Sequence, residues 1–349
     1  MEIQRSHSTT IERYVSPLPQ PEEAAPTAIQ LRPASFDDYP GQTHAKENLK
    51  IFVAAAKNRG QPLDHVILHG PPGLGKTTLA HIIANELSVP FHSTTGPSLD
   101  KPGDLAGLLA GLEPSALLFI DEIHRLPIQV EEVLYSAMEN FSLDVVVGQG
   151  PTARSVTIPL APFTLVGATT RLSSLSRPFL SRFGIQEKLD FYEVEALEQI
   201  LVRGAGLLGI QLGAGGAREL ALSSRGTPRV ALRLLRRVWD FAEVLHAGII
   251  DDRVVREGLR RLDIDSQGLD RMDRDILTMM HARYQGGPVG IDALAITLGE
   301  ERSTIEEVYE PFLVYCGYVS RSARGRLLTE KGLAYLQTSQ NGEPLDMKI

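Results

Sequence analysis

The chain carries a single cysteine, Cys316, among 349 residues. One thiol excludes an intrachain disulfide and any cysteine-based zinc cluster, and it fits a reducing cytoplasm. No apolar run approaches the roughly 18 residues of a membrane span, and no secretory leader opens the chain, so no membrane partner is expected. There is no excess of positive charge: the formal net charge is −8. That excludes a globally basic DNA coat and confines any nucleic-acid contact to a local patch. Periodicity is lacking over residues 1–30, which are rich in Pro, Glu, Ser and Ala and are expected to form a disordered tail.

What is present is a phosphate-binding signature. Gly70-Pro71-Pro72-Gly73-Leu74-Gly75-Lys76-Thr77-Thr78 fits G-x-x-x-x-G-K-[ST]. An apolar segment, Val66-Ile67-Leu68, precedes it, and a helical pattern (Leu79, Ile82, Ile83, Leu87) follows. In such a strand–loop–helix the backbone N–H groups point at phosphate oxygens, and the helix N-terminus adds partial positive charge. Gly73, Gly75, Lys76, Thr77 and Thr78 are the phosphate-holding candidates. Lys76 reaches the β- and γ-phosphates, and the Thr77 hydroxyl ligates Mg²⁺. The ligand class is a nucleoside triphosphate.

The pattern around this loop predicts an α/β fold in three parts after the tail. Over 31–192, short apolar strands near 66–68, 116–120 and 163–166 alternate with helical patterns, which predicts a parallel sheet covered by helices. Over 193–263 the pattern is helical throughout, with Leu234, Leu235, Val238, Trp239 and Ala242 on one core stripe. Over 266–349 it predicts three helices and a two-stranded basic wing, the order of a winged helix. There, Ser303-Thr304-Ile305-Glu306 reads as a capping box opening the third helix, which stops near Cys316 because Gly317 follows.

Further residues fall where triphosphate chemistry needs them. Leu117-Leu118-Phe119-Ile120 ends in Asp121-Glu122; the first carboxylate suits Mg²⁺ and the second can polarise an attacking water. His124 reads as a local hydrogen-bonding residue. A second apolar strand, from Phe163, ends in the hydroxyls of Thr169-Thr170, where a polar side chain could sense the γ-phosphate. Arg182, in Ser181-Arg182-Phe183-Gly184, suits the arginine that stabilises the transferring phosphoryl group, commonly supplied in trans. Thr227-Pro228 caps and opens a helix that directs Arg229 as a second nucleotide-reading cation. Residues 143–160 alternate as a β-hairpin inserted between core strands, either a packed edge or a partner-binding device. The wing holds Arg321, Arg324, Arg326 and Lys331 against Glu330, although acidic residues outnumber basic ones across 266–349. Such a tip can clamp a phosphate backbone without reading sequence.

Taken together, these motifs resemble those of AAA+ ATPases. Leu31-Arg32-Pro33, the Gly70–Thr78 loop, Asp121-Glu122-Ile123-His124-Arg125-Leu126, and the stretches 150–155, 167–171, 225–229 and 317–326 resemble the RuvB family, the bacterial motors of Holliday-junction branch migration. The resemblance spans about 31 to 336. It implies a large AAA+ domain, a small helical lid and a winged-helix head, assembled as a homohexameric ring on duplex DNA. It further implies ATP with Mg²⁺, loading by RuvA through the hairpin 143–160, and RuvC in a larger complex. By position, Leu31, Arg32 and Tyr192 would line the adenine pocket, and Thr77 and Asp121 would hold the metal. Glu122 would manage water, Thr170 would be the sensor, Arg182 the finger and Arg229 the second sensor. Arg321, Arg324 and Arg326 would touch DNA. One departure is visible: the family commonly carries Arg-Asp before the finger arginine, and here Leu180-Ser181 stands instead. Two other readings stay open on the residues alone, a clamp loader or other protein-remodelling AAA+ factor, and an ATP-gated DNA-binding regulator. The acidity of the third helix of the head (Glu306, Glu307, Glu310) argues against a base-reading helix.

Overall fold

The computed structural model describes residues 31–147, 154–246 and 248–340, in two compact units that meet between Ala196 and Leu197. The expected tail 1–30 and the hairpin turn fall outside the described residues.

The first unit starts with helix α1 (Thr43–Arg59) and strand β1 (Val66–His69), whose first three residues are buried. The P-loop follows, then α2 (Lys76–Leu87), β2 (Phe91–Thr95), α3 (Pro102–Ala110), β3 (Leu117–Asp121) and α4 (Ile128–Asn140). The hairpin strands β4 (Ser142–Val147) and β5 (Arg154–Pro159) pair antiparallel, with Leu143 opposite Ile158. The fully buried β6 (Thr164–Thr169), the short α5 (Arg177–Leu180) and β7 (Ile185–Lys188) complete the layer. The sheet order is β2-β3-β6-β1-β7, and every pairing is parallel. Such a sheet is buried on both faces, which explains the near-continuous apolar strands. One core packs Leu118, Ile120 and Leu165 against Leu105, Leu109, Val130 and Leu134 of α3 and α4.

The second unit takes up the rest of α6 (Val194–Leu208), then β8 (Gln211–Leu212), α7 (Ala214–Leu222), α8 (Pro228–Leu245), β9 (Ile249–Ile250) and α9 (Asp252–Arg261). The expectation of a wholly helical segment is corrected here: β8 and β9 pair in parallel, and two-residue strands are too short to show a period. Leu234, Leu235, Val238 and Ala242 are buried on α8, but Trp239 is only half-buried and lies outside the core proper.

The same unit continues into α10 (Arg271–Tyr284), α11 (Ile291–Leu298) and α12, a run of Arg302–Thr304, a π-helical Ile305–Tyr309 and Glu310–Tyr315. The expected capping box at Ser303 is not formed; Glu301 is the N-cap, and Ser303 and Thr304 lie inside the helix. The helix does end at Cys316, with Gly317 at φ 74°. Strands β10 (Val319–Ser322) and β11 (Gly325–Leu328) form the expected antiparallel wing, and α13 (Glu330–Gln340) follows. A separate core gathers Ile276, Leu277, Met280, Leu294, Val308, Phe312, Leu313 and Tyr335.

Candidate active site and wing

In an open parallel sheet, ligands bind beyond the carboxyl ends of the strands. Here those ends bring together His69 of β1, Thr169 of β6 and Asp121 of β3. The P-loop leaves β1 at this edge. Gly73 and Gly75 adopt left-handed φ angles of 81° and 95°, which glycine reaches without steric cost. A Cβ on Gly75 would stand 2.8 Å from the Tyr39 hydroxyl, so the loop has no room for a larger residue. Lys76 is buried, and its ammonium donates to the Gly70 and Pro71 carbonyls at 2.8 Å each. Thr77 and Thr78 open α2 at its positive end. A cradle of glycine backbone around a buried ammonium fits a polyphosphate.

Asp121 and Glu122 stand at the end of β3. The Asp121 carboxylate accepts the Glu122 N–H at 2.9 Å, and Glu122 itself has φ 48°. Glu122 pairs with Arg125 at 2.8 Å and stays half-exposed. Among the described residues no group of three metal-ligating side chains occurs. Mg²⁺ takes one or two protein oxygens and fills its shell with phosphate and water. The Thr77 hydroxyl and the Asp121 carboxylate are donors of the right hardness.

Two residues at this edge were not singled out by sequence. The Thr169 hydroxyl lies 3.0 Å from His124 Nδ1 and accepts the Arg171 N–H at 2.9 Å, while its carbonyl accepts the Gly70 N–H at 3.2 Å. It ties the turn after Asp121-Glu122 to the start of the P-loop, and it confirms the local role expected of His124. Thr170 follows it, half-buried, one residue past the strand. The signal was the doubled threonine, which spacing cannot resolve into a bridging and a sensing member. Tyr39 is the other: its hydroxyl donates to the Leu74 carbonyl at 3.3 Å and accepts from Tyr192 at 2.7 Å. Burial pushes both phenols upward in pKa, so both remain protonated donors. Tyr192 and Leu31 are buried, and Arg32 donates to His81 Nε2 at 2.9 Å on α2. The neighbouring charge of Arg32 adds to burial in lowering the His81 pKa.

Arg182 is not brought to this edge. It lies three residues before Ile185, which pairs with Val66 at the start of β1, whereas the P-loop leaves the other end of that strand. At about 3.3 Å per residue, the length of the strand separates them. Its guanidinium sits 4.5 Å over the Tyr135 ring, donates to the Tyr135 hydroxyl and pairs with Glu139 at 2.9 Å. Arg229 stands in the first turn of α8 in the other unit. Thr227 is the N-cap there, as expected, but its hydroxyl donates to the Ser224 carbonyl instead of capping the helix.

On the wing, Arg321 and Arg326 are register partners across the hairpin, and both are ion-paired to Glu310. Arg324 stands exposed at the turn, with no side-chain hydrogen bond or ion pair among the described residues. The acidity of α12 is therefore partly internal, since Glu306 and Glu310 neutralise wing arginines.

Comparison with known proteins agrees with this architecture. The chain matches the Holliday junction DNA helicase RuvB P-loop domain over 31–189, the RuvB AAA lid domain over 192–265 and the RuvB C-terminal winged helix domain over 266–337. It is 51% identical over 325 residues to a Rubrobacter xylanophilus protein named Holliday junction branch migration complex subunit RuvB, covering 93% of this chain and 91% of that protein. A protein of the same name from Bdellovibrio bacteriovorus is 55% identical over 301 residues, covering 86% and 92%. The solved Thermotoga maritima RuvB Holliday junction branch migration motor superposes with a TM-score of 0.81 at 49% identity, covering 88% of this chain and 98% of that one.

Proposed function

The chain belongs to the RuvB family of P-loop ATPases, and from that premise we propose that it is an ATP-driven motor of Holliday-junction branch migration. The motor acts as a homohexameric ring on duplex DNA in the cytoplasm, loaded by RuvA at the hairpin 143–160 and joined by RuvC in a larger complex.

The observation that carries this reading is the placement of Arg182 at the sheet edge remote from its own P-loop. A finger arginine so placed serves a neighbour's nucleotide, which requires a ring or a stack of subunits. Within one subunit, Leu31, Arg32 and Tyr192 enclose the adenine. The Gly73–Gly75 backbone, Lys76 and Thr78 hold the phosphates. Thr77 and Asp121 would hold Mg²⁺, which neutralises phosphate charge when bound. Glu122 turns from Arg125 to orient the attacking water, and Thr170 senses the γ-phosphate. The neighbour's Arg182 exchanges Glu139 for the transferring phosphoryl group. Such an arginine contributes on the order of a thousandfold or more in turnover. Arg229 reads the nucleotide from the lid and passes its state to the head. Arg321, Arg324 and Arg326 grip DNA phosphates, which confers affinity without sequence preference.

A synthetic four-way junction, mixed with the protein, ATP and a RuvA partner, tests the reading. Dissociation into duplex products that requires both ATP and the partner is the expected result. Dissociation in neither condition, with ATPase intact, would favour a protein-remodelling factor.

A further inference from the structure

Glu310 is a buried carboxylate with no place in nucleotide chemistry. Its side chain is 4% exposed, and it sits at the head of the last α-helical segment of α12, just after the π-turn. Pro311 follows it and has no N–H to continue a regular ladder. The carboxylate faces the wing. Oε1 accepts from Arg321 Nε at 2.7 Å and from Arg326 Nε at 2.9 Å, and Oε2 accepts from Arg326 Nη2 at 3.1 Å. One turn earlier, Glu306 accepts from the same Arg326 Nη2 at 3.2 Å and pairs with Arg302 at 3.4 Å.

Arg321 and Arg326 lie directly opposite each other across the hairpin. Like charges in that position repel, and Glu310 is the counter-ion that allows them to coexist. Burying a carboxylate carries a desolvation cost that an apolar side chain would not incur, so fastening α12 to the wing does not by itself require a charge. What the charge adds is orientation. Arg321 commits its Nε to Glu310 while the side chain stays 57% exposed, leaving its outer nitrogens for a phosphate. A free arginine must lose rotamer freedom when it binds; one already held loses less.

We propose that Glu310, seconded by Glu306, is a positioning residue for DNA binding, holding Arg321 and Arg326 as a preordered phosphate clamp. The proposal rests on the reading of the wing as the DNA-gripping face.

Its test has an unusual sign. Removing a negative charge beside a polyanion should tighten binding by simple electrostatics, whereas loss of preordering weakens it. Full-length protein is titrated against a labelled duplex across a salt series. Glu310→Gln is expected to bind roughly tenfold more weakly, the cost of ordering two arginines at binding, with the slope of log Kd on log salt unchanged because the same phosphates are engaged. Glu306→Gln, at a half-exposed position that does not endanger the fold, should give a smaller loss of the same sign. Unchanged or tighter binding by both variants overturns the proposal. So does weaker binding with a reduced slope, which would mean that contacts were lost instead of preordering. Arg321→Ala and Arg324→Ala test the underlying reading separately: each should lower the slope by about 0.9. Wild-type binding by both would remove the wing from DNA whatever Glu310 does.

Discussion

At the scale of single residues, the P-loop is held from behind by two phenols. Tyr192 donates to Tyr39, and Tyr39 donates to the Leu74 carbonyl inside the loop. The Tyr192 hydroxyl also lies 3.1 Å from that carbonyl, so either tyrosine alone can keep it paired. Tyr39→Phe should therefore change nucleotide affinity little. Tyr39→Phe combined with Tyr192→Phe leaves a buried carbonyl unpaired, a cost of about 1–3 kcal/mol. Calorimetric titration with a non-hydrolysable ATP analogue should show about tenfold weaker binding for the pair; wild-type affinity would remove the phenols from any part in loop geometry. Lys76, Asp121 and Glu122 were legible in sequence because each belongs to a local pattern with its own chemistry. Tyr39 was not, because it belongs to no motif and its partners lie 35 and 153 residues away. Arg182 was legible as a residue, but its resting partners Tyr135 and Glu139 were not, since they meet it only through the packing of α4.

At the scale of elements, the three central strands, the hairpin, the wing and the helices of the head followed from the sequence pattern, whereas the two edge strands β2 and β7 did not. Glu306 looked like the return arm of a capping box, but it pairs with Arg302, four residues earlier on the same helix, and with the distant wing residue Arg326. The β8–β9 pair escaped notice because neither strand completes one alternation. The junction of α4 with β6 illustrates what periodicity cannot report. His65, just before β1, accepts the Leu165 N–H through Nδ1 at 2.9 Å and donates through Nε2 to the Met138 carbonyl at 3.2 Å. The bond accepted at Nδ1 requires a neutral ring, and burial lowers the pKa below the usual 6.5 although the Met138 carbonyl opposes the shift. Below that value the unfolded chain takes up a proton that the folded chain refuses. Stability is thus full at neutral pH and falls as pH drops through the unfolded pKa toward the folded one, by up to about 1.4 kcal/mol per unit. His69 and His81 are shifted in the same direction, so the residue is isolated by difference. Between pH 7.5 and 5.5, wild type should lose more Tm than His65→Gln, which keeps an acceptor and a donor but does not titrate. Equal losses would assign the acid sensitivity elsewhere.

At the scale of the molecule, the lid and head expected in series match separate domains, and a buried ion pair welds them within one compact unit. Arg225 is the weld. It stands in left-handed conformation at φ 56°, four residues before Arg229, and is 2% exposed. It crosses from the lid to pair with Asp273 on α10 at 3.0 Å, with its guanidinium carbon 4.4 Å over the Phe312 ring. Asp273 is wholly buried and accepts the Asp270 N–H through its other oxygen at 3.0 Å. Burial pushes its carboxyl upward in pKa, and Arg225 pulls it back. Phe312 lies two residues after Glu310 on α12, so one helix carries both the ring under Arg225 and the carboxylate that pairs with the wing arginines. On the proposed reading, in which Arg229 senses nucleotide and the wing grips DNA, this pair would carry a movement of the lid to the head. An uncompensated buried charge costs about 3–5 kcal/mol, whereas removing both members of a pair together is often nearly neutral. Arg225→Met alone should lower the Tm of the unit by several degrees, and Asp273→Leu added to it should recover most of that loss. The recovered protein then separates adhesion from transmission. It should still hydrolyse ATP and bind duplex, but move fewer base pairs of junction per ATP consumed, because an apolar contact can slide where a bonded pair cannot. Wild-type coupling in the double variant would show that apolar packing alone carries the motion from lid to head.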